Sequence, residues 1–293
     1  MYYLSIFIMI FFILGCAKTP EPLSHHVDCK SDIYAMTQAK CISQKRLVSA
    51  LSAYDVIFMG DYHDAPHLHQ AYATIIREMS KRGYRIHLAN EWFTPKDNAL
   101  LYQYAHKMID DNNFSTQIDF NATVGYPFES FVPLYHAVQE NGGALYGINL
   151  EKEERQKISD DNTSAMRADA LAFYYSIDTN VSTHQQLLAP FLQHCHAPKK
   201  GESHEACLKR IYKVQVAWDE KMGLEVAKLS KKILTTPQDK LLVFAGAMHV
   251  EYGLGIPMRF ARHSDKSFTT LVPRERSQKR LDHGVADFVM FYK

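Results

Sequence analysis

The chain has almost no excess charge: 33 lysines and arginines face 32 aspartates and glutamates, a formal net charge of +1 over 293 residues. No basic patch with interleaved aromatics is present either, so the electrostatic footprint of a nucleic-acid-binding protein is missing. Cysteine is scarce, at five residues. None stands in a Cys-x-x-Cys-His arrangement, which excludes covalent attachment of a c-type haem. Low-complexity tracts are absent, and no internal repeat is found beyond one four-residue pattern. The apolar run Met1 to Leu14 is too short to span a bilayer as a helix. No Lys or Arg precedes it, although a signal peptide normally opens with a basic stretch.

The end of that run is informative. Ile13-Leu14-Gly15-Cys16 reads as a lipobox: a small residue before cysteine suits a lipoprotein signal peptidase, after which Cys16 would be diacylated and become the new N-terminus. Residues 1–16 are therefore expected to be a lipoprotein signal peptide. Residues 17–28, with Pro20 and Pro22, read as a tether, and 29–293 as a single domain lipid-anchored to the bacterial cell envelope. A simple N-terminal anchor would equally leave the rest of the chain outside the cytoplasm. Four cysteines remain, in two local pairs of equal spacing. Cys29–Cys41 and Cys195–Cys207 are the expected bridges of an oxidising compartment, out of the three connectivities that four cysteines allow. His194, His196 and His204 in the second loop invite a metal reading. It ranks below the disulfide, because Pro198, Lys199, Lys200 and Gly201 suggest an exposed excursion.

The repeated pattern is Gly-x-x-His: Gly60-Asp61-Tyr62-His63 and Gly246-Ala247-Met248-His249. Each copy ends a short apolar run, Val56 to Met59 and Leu241 to Ala245, that reads as a buried parallel strand. Arg85 to Asn90 reads as a third strand, with Glu91 at the corresponding end. Ligands of open α/β sheets bind outside the strand carboxyl ends. If the three strands are neighbours, His63, Glu91 and His249 converge there, where such a set can bind a metal, relay a proton or hold a polar ligand. The bland alternative is that each histidine caps its own turn.

The remaining pattern predicts an α/β fold: a mainly parallel central sheet flanked by helices. Helical spacing covers Pro66 to Arg82, Pro95 to about Met108 and Glu129 to Glu140; a strand covers Ala144 to Asn149. From about 151 to 239 no strand is convincing, so this stretch reads as a helical insertion with a long amphipathic helix at Tyr212 to Ile233. Strands return at Ser267 to Val272 and Ala286 to Phe291. Within the long helix, core packing accounts for Trp218 and Met222. It does not account for Asp219, which could reach His63 or His249. The 17 tyrosines and 16 phenylalanines suit a core, and also a flat apolar ligand bound partly through oxygen.

Val56 to Asp64, with His67 and His69 after it, resembles the opening motif of the ChaN-like haem-binding lipoproteins. Asn90-Glu91-Trp92-Phe93, Gly125-Tyr126-Pro127, Phe131-Val132-Pro133-Leu134 and Ile148-Asn149-Leu150 resemble later segments in the same order. Gln215 to Met222 matches the family's Gln-x-x-Trp-Asp helix, and Gly246 to Pro257 its last loop. Two positions depart: Gly-Asp-Tyr-His stands where the family often has Gly-Glu-x-His, and Phe131 where it commonly has tyrosine. The resemblance implies a surface lipoprotein, in the outer membrane, that binds haem non-covalently for iron acquisition or storage. It further implies haem held at a homodimer interface with a tyrosine on the iron and a histidine of the other subunit reaching the propionates. An outer-membrane haem receptor would be a partner.

For the iron ligand, Tyr252 is the first choice because of its glycine-flanked loop next to His249, with Tyr62 and Tyr126 after it. His63 and His249 are further haem-binding candidates. No catalysis is expected on this reading. The wider group, including erythromycin esterases and Tiki/TraB proteases, supplies the alternative: a metal-dependent or esterase-like hydrolase using His63, Glu91 and His249 around a water. A noncatalytic scaffold that uses its aromatic face for protein contacts is a third reading.

Overall fold

A computed structural model describes residues 24–29, 31–195, 198–278 and 280–292. The apolar leader, Cys16 and His196 lie outside the described residues. The strands and helices are, in chain order, β1 (Ser24–His26), β2 (Ile33–Ala35), β3 (Lys40–Ile42), α1 (Gln44–Leu51), β4 (Val56–Asp61), α2 (Pro66–Ser80) and β5 (Arg85–Asn90). Next come α3 (Asn98–Ala105), α4 (Asp111–Gln117), α5 (Phe120–Val124), α6 (Val132–Glu140) and β6 (Leu145–Gly147). After them stand α7 (Lys152–Ser159), α8 (Ala168–Ser176), α9 (Ser182–Leu192), α10 (His204–Ile233) and β7 (Asp239–Gly246). The chain closes with α11 (Ile256–Ala261), β8 (Phe268–Glu275), β9 (Arg280–Asp282) and β10 (Phe288–Tyr292).

Eight strands form one sheet in the order β3-β2-β10-β8-β4-β7-β5-β6. From β10 to β6 every pairing is parallel, and β2 and β3 add an antiparallel edge. Every residue of β4 and β7 is buried, because helices cover both faces and a central parallel strand has no solvent side. Ile57, Met59, Leu242 and Phe244 point to one face, where α1, α2 and α6 pack; Val56, Phe58, Leu241 and Val243 point to the other, against α10 and α11. Among the described residues no helix is long and apolar enough to cross a membrane.

Several boundaries differ from the sequence reading. Ser24–His26, expected in the tether, pair antiparallel with β9, so that part of the tether is built into a small sheet. The long helix starts at His204, ahead of Tyr212, because Ser203 caps it by accepting a hydrogen bond from the Ala206 N–H. The stretch from 151 to 239 is helical as expected, and β7 begins at its last residue. Both expected disulfides form: Cys29–Cys41 ties the start of the domain to β3, and Cys195–Cys207 ties the preceding loop to α10. With both sulfurs of the Cys195–Glu202–Cys207 cluster in a disulfide, that loop offers no thiolate to a metal.

The helices α10 and α11 approach closely at Gly223. A Cβ there would lie 2.5 Å from Arg259 Cβ and 2.8 Å from the Phe260 nitrogen, so a methyl group has to push the two helices apart. Gly223→Ala is expected to destabilise the protein by about 2–3 kcal/mol, the upper range for overpacking. The midpoint of urea unfolding measures it, and an unchanged midpoint would show that the helices are free to separate.

Candidate functional site

The parallel registers level the strand ends. Asp61 pairs with Gly246 across β4 and β7, and Asn90 with Phe244 across β5 and β7. The residues just beyond these ends therefore share one edge of the sheet. His63 Nε2 lies 3.6 Å from one carboxylate oxygen of Glu91, and His249 Nε2 lies 3.6 Å from the other. The sheet thus brings His63, Glu91 and His249 together. The glycine that ends β7 makes room for them: a Cβ on Gly246 would sit 3.2 Å from His63 Cε1 and 3.5 Å from Glu91 Oε1.

Each histidine is held from behind by a buried aspartate. His63 Nδ1 donates to Asp61 at 2.9 Å, and the other Asp61 oxygen faces His69 Nε2 at 2.9 Å. His69 is fully buried and donates through Nδ1 to the Ser130 carbonyl. His249 Nδ1 donates to Asp219 of α10 at 2.6 Å. In both cases the carboxylate fixes the ring orientation, leaving Nε2 turned toward Glu91. Sequence reasoning named Asp219 as a candidate partner of His249. It missed the bridging role of Asp61, whose signal was its place in the Gly-x-x-His pattern. It also missed His184, which meets Asp219 from α9.

Burial alone would pull the His249 pKa down, but the charge and hydrogen bond of Asp219, with Glu91 behind them, lift it to about 9. His63 is likewise raised: burial opposes, and Asp61 and Glu91 prevail. Burial raises the Glu91 carboxyl above its ordinary value against the pull of the two histidines.

Above this floor opens a recess of about 710 Å³, within the range of small-molecule and cofactor sites. Trp92, Trp218, Lys152 and Arg155 are among the residues that line it. The Trp92 ring contacts His63 edge-on with centroids 4.3 Å apart, and its indole N–H is buried with no partner. Arg155 lies over the Trp218 ring, 5.7 Å from its centroid. The floor is not a closed ion cage, because His63, Glu91 and His249 do not bring their ligand atoms within reach of one common ion.

The three candidate tyrosines part company. Tyr126 packs beside the site, its ring 5.5 Å from His63 and 6.1 Å from Trp92, and lines a neighbouring recess of about 620 Å³ with Phe120 and Phe128. Tyr62 packs on Tyr292, and its hydroxyl accepts from Arg274 at 3.3 Å. Burial raises its pKa against the pull of Arg274. Tyr252 lines a separate recess of about 330 Å³ with Met36 and His283. Its backbone is left-handed, at φ 56°, and its hydroxyl donates to Asp282 at 2.8 Å. Burial and then Asp282 push that phenol well above its ordinary value, so Tyr252 is turned away from the histidine cluster and poorly suited to form a phenolate.

A family model described as haem-binding uptake, Tiki superfamily, ChaN matches residues 47–260. Among solved structures, one of cofacial heme binding to ChaN of Campylobacter jejuni superposes with a TM-score of 0.69 at 18% identity, covering 91% of this chain and 100% of that one. The type III effector HopBA1 is more distant, with a TM-score of 0.46 at 14% identity over 85% and 93% of the two chains. An erythromycin esterase mutant in its open conformation gives 0.44 at 11% identity over 79% and 72%. No curated protein matches the chain.

The raised His249 pKa has a consequence for stability. A folded-state pKa of about 9 against an ordinary 6.5 means that the stabilisation is complete below pH 6.5 and is lost as pH rises through 9. The loss should amount to roughly 3 kcal/mol. Urea unfolding of the wild type at pH 6.5, 8 and 9.5 should show this decline, and Asp219→Asn should flatten it. An equal slope in both proteins would rule out the Asp219–His249 pair as its source.

Proposed function

The chain belongs to the family described as haem-binding uptake, Tiki superfamily, ChaN, and from that premise we propose that it binds haem non-covalently, for haem or iron acquisition or storage. The observation that carries the reading is the recess over His63, Glu91 and His249. It combines aromatic walls, the unpartnered Trp92 N–H and the cations Lys152 and Arg155 in its lining. Trp92 and Trp218 offer faces to a porphyrin, and Lys152 and Arg155 suit its propionates. Bound haem would supply a ferric centre, for which a phenolate is a hard anionic ligand. We assign that ligand to Tyr126, because it alone of the three candidates borders His63 and Trp92.

The same reading makes the protein a surface lipoprotein anchored through diacylated Cys16, in the outer membrane, with haem shared across a homodimer and passed from or to an outer-membrane haem receptor. The lipobox and the sequence resemblance support these points. For the hydrolase alternative, the open spacing of the His63–Glu91–His249 set gives no support to a bound metal ion.

Haem titration of the detergent-solubilised full chain, with absorbance spectroscopy at each addition, tests the proposal. Saturable binding with a ferric phenolate band is expected for wild type, Tyr62→Phe and Tyr252→Phe, and loss of that band for Tyr126→Phe. Absence of saturable binding in the wild type would overturn the haem reading; ester or peptide hydrolysis abolished by Glu91→Gln would then establish the alternative.

A further inference from the structure

Asp219 meets more than His249. Its second carboxylate oxygen lies 3.3 Å from Nε2 of His184 in α9, an ion-pair contact, and neither of these two buried atoms has a hydrogen-bond partner of its own. The Nδ1 of His184 faces Nη2 of Arg259 in α11 at 3.3 Å and the Tyr212 hydroxyl at 3.4 Å. His184, Asp219 and Arg259 are all fully buried. A guanidinium can only donate, so His184 Nδ1 must accept, and the imidazole proton sits on Nε2, aimed at Asp219. Asp219 thus has His249 bonded to one oxygen at 2.6 Å and the Nε2–H of His184 at ion-pair distance, 3.3 Å, from the other. A buried carboxylate left with only one such partner is free to rotate and costly to keep charged.

We propose that His184, oriented by Arg259, is a positioning residue for the ligand site: it holds Asp219 so that His249 keeps its proton on Nδ1 and presents Nε2 to the recess. The helical insertion, which already lines the recess through Lys152, Arg155 and Trp218, thereby also orients its floor, although His184 itself does not line the recess. The effect on ligand affinity rests on the haem reading; the effect on the His249 proton does not.

The test uses the full chain labelled with ¹⁵N-histidine. The short Asp219–His249 hydrogen bond should give a far-downfield imidazole N–H resonance, assigned by its loss in His249→Gln. His184→Leu is expected to shift that resonance upfield or abolish it, and to weaken haem binding roughly tenfold, the scale of one lost charge-assisted hydrogen bond. His184→Gln, whose amide both donates and accepts, should restore both. An unmoved resonance in His184→Leu overturns the proposal, as does unchanged haem affinity alongside a lost resonance. If His184→Leu does not fold, His184→Gln decides: a retained resonance supports the network and a lost one overturns it. If the wild type takes up no haem, the haem reading fails while the resonance still judges His184.

Discussion

Leu241 of β7 pairs with Val56 on one side and His87 on the other, and this single alignment levels the carboxyl ends of β4, β7 and β5. Each strand leaves the sheet with a polar residue just past its end, so the site needs no long loop to assemble it. A register slip of one residue in any of the three would turn its buried apolar set toward the wrong layer. The same hydrophobic burial that fixes the core thus fixes His63, Glu91 and His249 relative to one another.

Above the strand ends, burial is made tolerable by alternation. Proceeding from His69, the groups run Asp61, half-buried His63, Glu91, His249, Asp219, His184, Arg259 and Glu220, acid next to base at nearly every step. Arg262 then links Glu220 to Asp178 at the surface. Isolated, any one of these charges would cost several kcal/mol to bury. In series they compensate one another. The arrangement stabilises little in total but leaves each member few orientations, and that restriction is what a binding site requires.

Much of this was legible in the sequence because it is written locally. Val56 to Gly60 and Leu241 to Gly246 are uninterrupted apolar runs closed by glycine, and they announce both a central strand and its end. Asp219 was legible as an anomaly, an acid on the buried side of an amphipathic helix. The role of His69, singled out only through its place in a family motif, and that of His184 were not, since nothing in their neighbourhoods distinguishes a buried partner of a distant aspartate from a solvated histidine. The three-residue strands β1 to β3 were equally hidden, being too short for alternation to register. Around Tyr252 the glycines were legible and the geometry was not: the tyrosine itself takes the left-handed backbone and sends its hydroxyl to Asp282.

The covering layer of the recess comes from α10, which lies after β4 and β5 in the chain and before β7. A chain emerging from its N-terminus therefore displays His63 and Glu91 long before Trp218, Asp219 or His249 exist beside them. Until β7 inserts between β4 and β5, the two early strands are not even neighbours. The site is therefore complete only once β7 and the turn that carries His249 have joined β4 and β5, with β8 and β10 still to follow in the chain.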